Sequence, residues 1–147
     1  MSNYGINGHQ LEIEITESAI ASSEQMAIQN LKGLQAMGCE IAIDDFGTGY
    51  SSLGNLKNFP LNRLKIDKSF VDSVVDSESG QSIVRMISTL ARELNLKVTA
   101  EGVETREQAE FLKDVGCDQL QGYLFSKPLQ AGQFYKRLQQ LPQNFLV

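Results

Sequence analysis

The sequence is poor in the residues that define several classes of protein. Its 147 residues include no tryptophan, one histidine, two cysteines and three prolines. This supply of cysteine and histidine is too small for a four-ligand zinc site or a disulfide-rich scaffold. No apolar stretch approaches the roughly 20 residues of a membrane-spanning helix, so the sequence predicts no membrane partner and a cytoplasmic location.

Positive charge is also in short supply. The chain has 13 Lys and Arg against 18 Asp and Glu, a formal net charge of -5. This balance argues against a nucleic-acid polymer or an anionic membrane as the main partner, but it allows a small phosphate ligand held through metal ions. The length suits one globular domain. Cys39 and Cys117 each follow a glycine at the start of an apolar run, and we expect packed, reduced thiols.

What the sequence does contain is a regular alternation of strand-like and helix-like patterns. The predicted strands are 11–16, 39–44, 63–67, 96–101 and 119–125. The predicted helices are 22–38, 79–95, 105–116 and 131–141, with a short helix near 51–58. Such an alternation implies a mainly parallel α/β sheet, in either a doubly wound or a barrel form. No glycine fingerprint of the dinucleotide-binding type follows a strand, which disfavours the Rossmann version.

Capping residues mark the ends of these helices. Ser22 with Gln25 and Thr105 with Gln108 have the spacing of capping boxes. Gly38 stands where the first predicted helix ends, as expected for a residue in the left-handed conformation. These signals separate the helices from the strands that follow them.

Polar side chains stand at the carboxyl ends of the predicted strands. They are Glu14 with Glu17, Asp44 with Asp45, Lys65 with Asp67, Glu101 with Glu104, and Gln121. Parallel strands present their carboxyl ends on one rim, which is where (β/α)8 barrels carry out chemistry. A barrel unit takes about 30 residues, so this chain accounts for about five of eight units.

Four carboxylates at one rim would repel each other unless cations lay between them. These are the side chains of Glu14, Asp44, Asp45 and Glu101. Hard oxygen ligands suit Mg²⁺ or Mn²⁺, and a pair of such ions is the usual arrangement for attack of water on a phosphodiester. Lys65 could hold the attacking water, and Glu101 could bind metal and accept a proton. The residues therefore point to metal-assisted phosphoester hydrolysis.

The motifs resemble one known family. "LEIEITES", "IAIDDFGTGYSSL", "LKIDKSF", "TAEGVET" and "GCDQLQGYLFSKPL", in this order, are similar to the EAL domains, which are cyclic-di-GMP phosphodiesterases. The resemblance runs from about residue 4 to about residue 141. It implies a modified TIM barrel, cleavage of cyclic-di-GMP to linear pGpG, and dimerisation near the loop after Asp45.

The resemblance also implies roles for individual residues. Glu14 and Asp44 would bind one metal ion, Asp44 would bridge to a second ion held by Asp45 and Glu101, and Lys65 would position the water. The remaining rim residues are expected around this centre: Glu17 bracing the loop 45–53, and Gln121, Glu104 and Asp67 near the substrate or behind the metal ligands.

The sequence also departs from the family. It contains no Glu-Ala-Leu tripeptide, whose glutamate is a metal ligand in the family, and it lacks the family's asparagine ligand. We therefore expect an incomplete (β/α)8 barrel over 1–147, with 1–8 as an N-terminal extension or turn. Its open edges predict a homo-oligomer, most simply a dimer, or association with a complementary EAL fragment.

Two functions remain open at this point. The chain is either part of a phosphodiesterase that is inactive or weak in isolation, or a non-catalytic module that self-associates or binds cyclic-di-GMP. Plainer interpretations also exist for single residues. Asp44 and Asp45 could be a solvated pair, Lys65 and Arg63 surface charges, and Glu104 part of the first turn of a helix.

Overall fold

The computed structural model describes residues 5–17, 24–47 and 56–140. A short 3₁₀ turn, Gly8–Gln10, precedes the first strand. The elements that follow are β1 (Glu12–Thr16), α1 (Glu24–Ala36), β2 (Glu40–Phe46), β3 (Arg63–Ile66), α2 (Lys68–Ser73), α3 (Glu78–Glu93), β4 (Lys97–Ala100), α4 (Arg106–Asp114), β5 (Gln119–Leu120) and α5 (Ala131–Gln140). No helix in these ranges is both long and apolar enough to cross a membrane.

The five strands form one parallel sheet in the order β1-β2-β3-β4-β5. Each strand therefore pairs with the next one along the chain. A doubly wound sheet reverses its strand order at a switch point, whereas the wall of a (β/α)8 barrel does not. The predicted α/β fold is thus confirmed, and the sheet is a section of a barrel wall with β1 and β5 at its edges.

The apolar core lies between the helices and one face of the sheet. Ile41 and Ile43 of β2 and Leu64 and Ile66 of β3 are fully buried on this face. Helix α3 covers them with the buried side chains of Val84, Ile87 and Ala91. Each large aliphatic side chain buried in this way contributes about 1.5–3 kcal/mol of transfer free energy. The alternation in β1, β2 and β3 thus directs the opposite set of side chains to the barrel interior.

The capping predictions are tested at two helices. Thr105 caps α4: its hydroxyl accepts from the Gln108 backbone N–H at 3.2 Å, and the Gln108 side chain accepts from the Thr105 N–H at 2.9 Å. Gly38 follows α1 with φ +89°, the left-handed conformation expected of it. Ser22, in the other predicted capping box, lies outside the described residues.

Two elements differ from the prediction. The last strand was expected over 119–125, but β5 contains only Gln119 and Leu120. The chain turns at Gly122, where an added Cβ atom would collide with the Val103 backbone, so the backbone lies against the β4–α4 loop instead of extending the sheet. Helix α2 was not predicted. Most of the expected helix near 51–58 lies outside the described residues.

Candidate functional site

The candidate site lies on the barrel-interior face of the sheet, at the carboxyl ends of the strands. Lys65 on β3 lies at its centre. Its Nζ is 2.6 Å from Glu14 Oε1, 3.2 Å from Asp44 Oδ1 and 2.8 Å from Glu101 Oε1. The side chains of Glu14, Asp44 and Glu101, which were expected at three separate strand ends, therefore all contact Lys65.

Lys65 is a buried cation, not a surface lysine. The residue is only 4% exposed. Burial disfavours its charged form, but hydrogen bonds to Glu101 and Glu14 outweigh this effect and raise the pKa of Lys65 well above its ordinary value. The side chain is therefore an ammonium at any physiological pH, and its charge offsets part of the negative charge of the cluster.

A bulge explains how two adjacent acids can both lie at the rim. The pairing of β2 with β3 shifts register between Ile43 and Phe46, and Asp45 has φ +53°. Aspartate tolerates this left-handed conformation better than most residues. The Asp45 backbone N–H donates to Asp44 Oδ1 at 3.1 Å. In a regular strand these neighbours would occupy opposite faces, and the bulge removes that constraint.

Glu17 connects the end of β1 to the segment after β2. It is 6% exposed, and its Oε2 accepts from the Gly47 backbone N–H at 3.1 Å. Gly47 has φ +94°, so glycine suits this position. Glu17 therefore contacts the first described residues of the loop that it was expected to brace, while residues 48–53 of that loop lie outside the described residues.

Asp67 follows β3 and Glu104 follows β4, and each bonds to a residue of a neighbouring segment. Asp67 caps α2, accepting from the Ser69 backbone N–H at 3.0 Å, and hydrogen bonds from Ser69 lower the pKa of its carboxyl. Glu104 pairs with Lys68 Nζ at 2.9 Å. The Lys68 stem packs over Gly102, beside Glu101, so this exposed ion pair lies against the loop that carries a site carboxylate.

Gln121 follows β5 and continues its pairing with β4. Its backbone N–H donates to the Ala100 carbonyl at 2.8 Å, and its carbonyl accepts from the Val103 N–H at 2.9 Å. The exposed residue lines an open cavity of about 840 Å³ between β5 and α5. Gln121 is thus placed at the rim, but no side-chain hydrogen bond joins it to the Lys65 cluster within the described residues.

A second group of charged residues, around Arg63, lies on the same face of the sheet and was not predicted from the sequence. Arg63, expected to be a surface charge, is only 5% exposed. Its Nε lies 2.6 Å from Glu12 Oε2, its Nη2 lies 3.6 Å from Glu40 Oε2, and its Nη1 donates to Thr99 Oγ1 at 3.1 Å. The sequence does indicate that Arg63 faces the barrel interior, because Arg63 and Lys65 are two residues apart in one strand and therefore share a face.

The donor set suits a hard divalent cation. Carboxylate oxygens from three strand ends already converge on one positive charge, and Mg²⁺, Mn²⁺ and Ca²⁺ prefer such oxygens. Among residues 5–17, 24–47 and 56–140, however, no group of three or more His, Cys, Asp or Glu is arranged as a ready metal site. The chemistry of the ligands fits, while their positions are those of partners to Lys65.

Comparison with known proteins identifies the family. Residues 1–128 match the model of the EAL domain. Over 119 residues the chain is 46% identical to the cyclic di-GMP phosphodiesterase NbdA of Pseudomonas aeruginosa, covering 81% of this chain and 15% of NbdA. It is 45% identical over 130 residues to MucR of the same organism, a bifunctional diguanylate cyclase and cyclic di-GMP phosphodiesterase, covering 88% and 19% of the two chains. The chain belongs to the EAL domain family.

Solved structures give the same result for the fold. The MucR phosphodiesterase in complex with c-di-GMP superposes with a TM-score of 0.86 at 44% identity, covering 90% of this chain and 54% of that one. A manganese and c-di-GMP complex of Klebsiella pneumoniae BlrP1 gives 0.80 at 37% identity, covering 86% and 32%. The predicted partial EAL barrel is therefore confirmed, and the chain spans under a fifth of the two curated relatives.

Proposed function

We propose that this chain contributes the C-terminal β/α units of an EAL phosphodiesterase that hydrolyses cyclic-di-GMP to linear pGpG, and that the isolated chain is weak or inactive. The observation that carries the proposal is the convergence of Glu14, Asp44 and Glu101 on one buried cation at the rim of the sheet. Residues 1–147 belong to one partial domain in this proposal, with 1–8 as a short extension or turn before β1.

The chain's own carboxylates would hold the metal. Glu14 and Asp44 would ligate one Mg²⁺ or Mn²⁺ ion, and Asp44, Asp45 and Glu101 a second. When bound, such ions polarise the phosphodiester and acidify bound water. Lys65 would orient the attacking water and Glu101 would accept its proton. The water oxygen would form a bond to phosphorus as one ester P–O bond of the ring breaks, the departing sugar oxygen would take up a proton from solvent, and the linear dinucleotide would be released.

The surrounding residues would support this chemistry in different ways. Gln121 is exposed and lines the cavity beside β5, which suits a contact with the substrate. Asp67 and Glu104 would act indirectly, because they hold the loops that follow β3 and β4. Glu17 would keep the loop after β2 in place through its hydrogen bond to Gly47.

A non-catalytic role is the second candidate, and the edges of the sheet favour it. Within the described residues β1 has no partner on its outer side, and the helix α5 exposes Phe134, Tyr135 and Leu138. Uncovered strands and apolar helix faces favour association. In this version the chain forms a cytoplasmic dimer, or pairs with a complementary EAL fragment, and does not cleave cyclic-di-GMP.

The test is turnover of cyclic-di-GMP by the purified chain with excess Mn²⁺, with pGpG measured by chromatography. Turnover by the isolated chain should be weak and should rise when a complementary EAL fragment is added. Glu101→Gln should abolish it, whereas the matched surface variant Glu110→Gln should retain it. Measured binding of cyclic-di-GMP without turnover would favour the non-catalytic module. A folded sample that stays monomeric, and that neither binds nor cleaves the dinucleotide alone or with a complementary EAL fragment, would contradict both candidates.

A further inference from the structure

The site contains a cation of its own. Glu14, Asp44 and Glu101 each place an oxygen within 3.2 Å of Lys65 Nζ. An ammonium has three N–H donors. Three carboxylate partners therefore account for the whole donor capacity of Lys65, which leaves no N–H to hold a water molecule. The ion cluster is therefore complete without a water molecule, whereas hydrolysis needs a Lys65 N–H that can hold the attacking water.

The same carboxylates are the proposed metal ligands. A carboxylate oxygen that accepts from Lys65 at 2.6 Å has less negative charge to offer a dication, and the ammonium repels that dication at short range. Because Lys65 is nearly inaccessible to water, solvent screens this repulsion poorly.

We propose that Lys65 is a tethered counter-ion that competes with divalent cations for the carboxylates of Glu14, Asp44 and Glu101. Without metal, its ammonium holds the three acids together and offsets their repulsion. Metal binding requires Lys65 to release them, and the released N–H groups become available to orient water. This inference rests on the proposed function, because it concerns the same site.

Removal of the charge should therefore strengthen metal binding. Lys65→Met keeps a similar stem and changes the cluster from three carboxylates with one ammonium to three carboxylates alone. We expect Mn²⁺, followed by electron paramagnetic resonance, to bind about tenfold or more tightly to this variant than to the unmodified chain. Without metal the variant should melt at a lower temperature, and Mn²⁺ should raise its Tm by more than in the unmodified chain.

The chain offers a matched control two residues away. Arg63 lies on the same strand and face and is equally buried, but its carboxylate partners are Glu12 and Glu40. Arg63→Met should change Mn²⁺ affinity by no more than about threefold, since its charge is not bonded to the site carboxylates. Adding Asp44→Asn to Lys65→Met should remove the gain in affinity and so locate the bound ion.

A measurement on the unmodified chain avoids any folding defect of the variants. In ¹⁵N-lysine NMR the Lys65 ammonium should exchange its protons slowly without metal, and saturating diamagnetic Mg²⁺ should shift this signal and accelerate the exchange. An unchanged signal at saturation, or Lys65→Met binding Mn²⁺ no more tightly than the unmodified chain, would overturn the inference. Tighter Mn²⁺ binding by the variant, while the unmodified chain neither binds nor cleaves cyclic-di-GMP alone or with a complementary EAL fragment, would support the inference and remove the proposed function.

Discussion

Lys65 and Glu14 meet at 2.6 Å although strand β2 lies between their strands. Glu14 is registered with Ala42, and Ala42 is registered with Arg63. The salt bridge between Lys65 and Glu14 therefore passes over β2 beside Ala42. Ala42 has the smallest side chain that β2 directs to the barrel interior. Ala42 is fully buried at this crossing.

A larger residue at this crossing should break the bridges. Ala42→Leu is expected to separate Lys65 from Glu14 and to lower the free energy of unfolding by about 1–3 kcal/mol through overpacking. Urea denaturation measures the loss. Ala36→Leu, at an exposed position of α1, is the control and should stay within about 0.5 kcal/mol of the unmodified chain. Equal stability of the two variants would contradict the assigned crossing.

The close approach at Gly122 gives a second prediction. Any side chain there meets the Val103 backbone, which cannot yield as a flexible side chain could. Gly122→Ala should lower the free energy of unfolding by at least about 2 kcal/mol. Gly33 in α1 has no atom within 4 Å of the added Cβ, so Gly33→Ala should stabilise the helix by about 1 kcal/mol. Thermal melting of both variants should show shifts of opposite sign.

Glu17 should matter as a hydrogen-bond acceptor. Glu17→Ala leaves the Gly47 N–H without its partner and should cost about 1–3 kcal/mol, measured by chemical denaturation. Glu17→Gln retains an acceptor oxygen and should recover most of the loss. If both variants lost the same amount, the negative charge of Glu17 and not its hydrogen bond to Gly47 would be the stabilising feature.

Stability should fall in alkaline solution, and Cys117 should account for the first part of the fall. Burial, with a smaller effect of the neighbouring Asp118 charge, raises the pKa of Cys117 from 9.0 to about 12. Between these values the unfolded chain loses a proton that the folded chain keeps, so stability decreases as pH rises. Lys65 adds to the decrease above its ordinary pKa of 10.5, because its folded pKa is also raised.

The measurement is Tm against pH from 7 to 11, beside Cys117→Ala. The variant should show a shallower decline between pH 9 and 10.5, where Lys65 does not yet contribute. The difference between the two curves isolates the thiol from other groups that titrate in this range. Parallel curves would exclude a role for Cys117.

Much of the architecture was predictable because local patterns and tertiary structure agree. The structure contains the strand predicted from the alternation in β1, the helix start predicted from the capping box at Thr105, and the predicted parallel sheet. The convergence of Glu14, Asp44 and Glu101 near Lys65 follows from their positions at parallel strand ends. These features depend on period and topology, which a single sequence carries.

The remaining features depend on contacts between distant residues. The short β5 results from the approach of Gly122 to Val103, two positions that no local pattern relates. The burial of Arg63 depends on Glu12, which is 51 residues away. The pairing of Glu104 with Lys68 likewise joins residues that lie 36 positions apart.

The alternation of charged and aliphatic residues in β3, Arg63-Leu64-Lys65-Ile66, also protects the chain against misfolding. All four residues are buried. A slip of one position would push both cations into the aliphatic layer under α3, and a slip of two would leave one acid of β1 without a counter-charge. Strand β3 therefore admits one alignment with its neighbours, and the ion pairs at the rim select the native assembly over its closest alternatives.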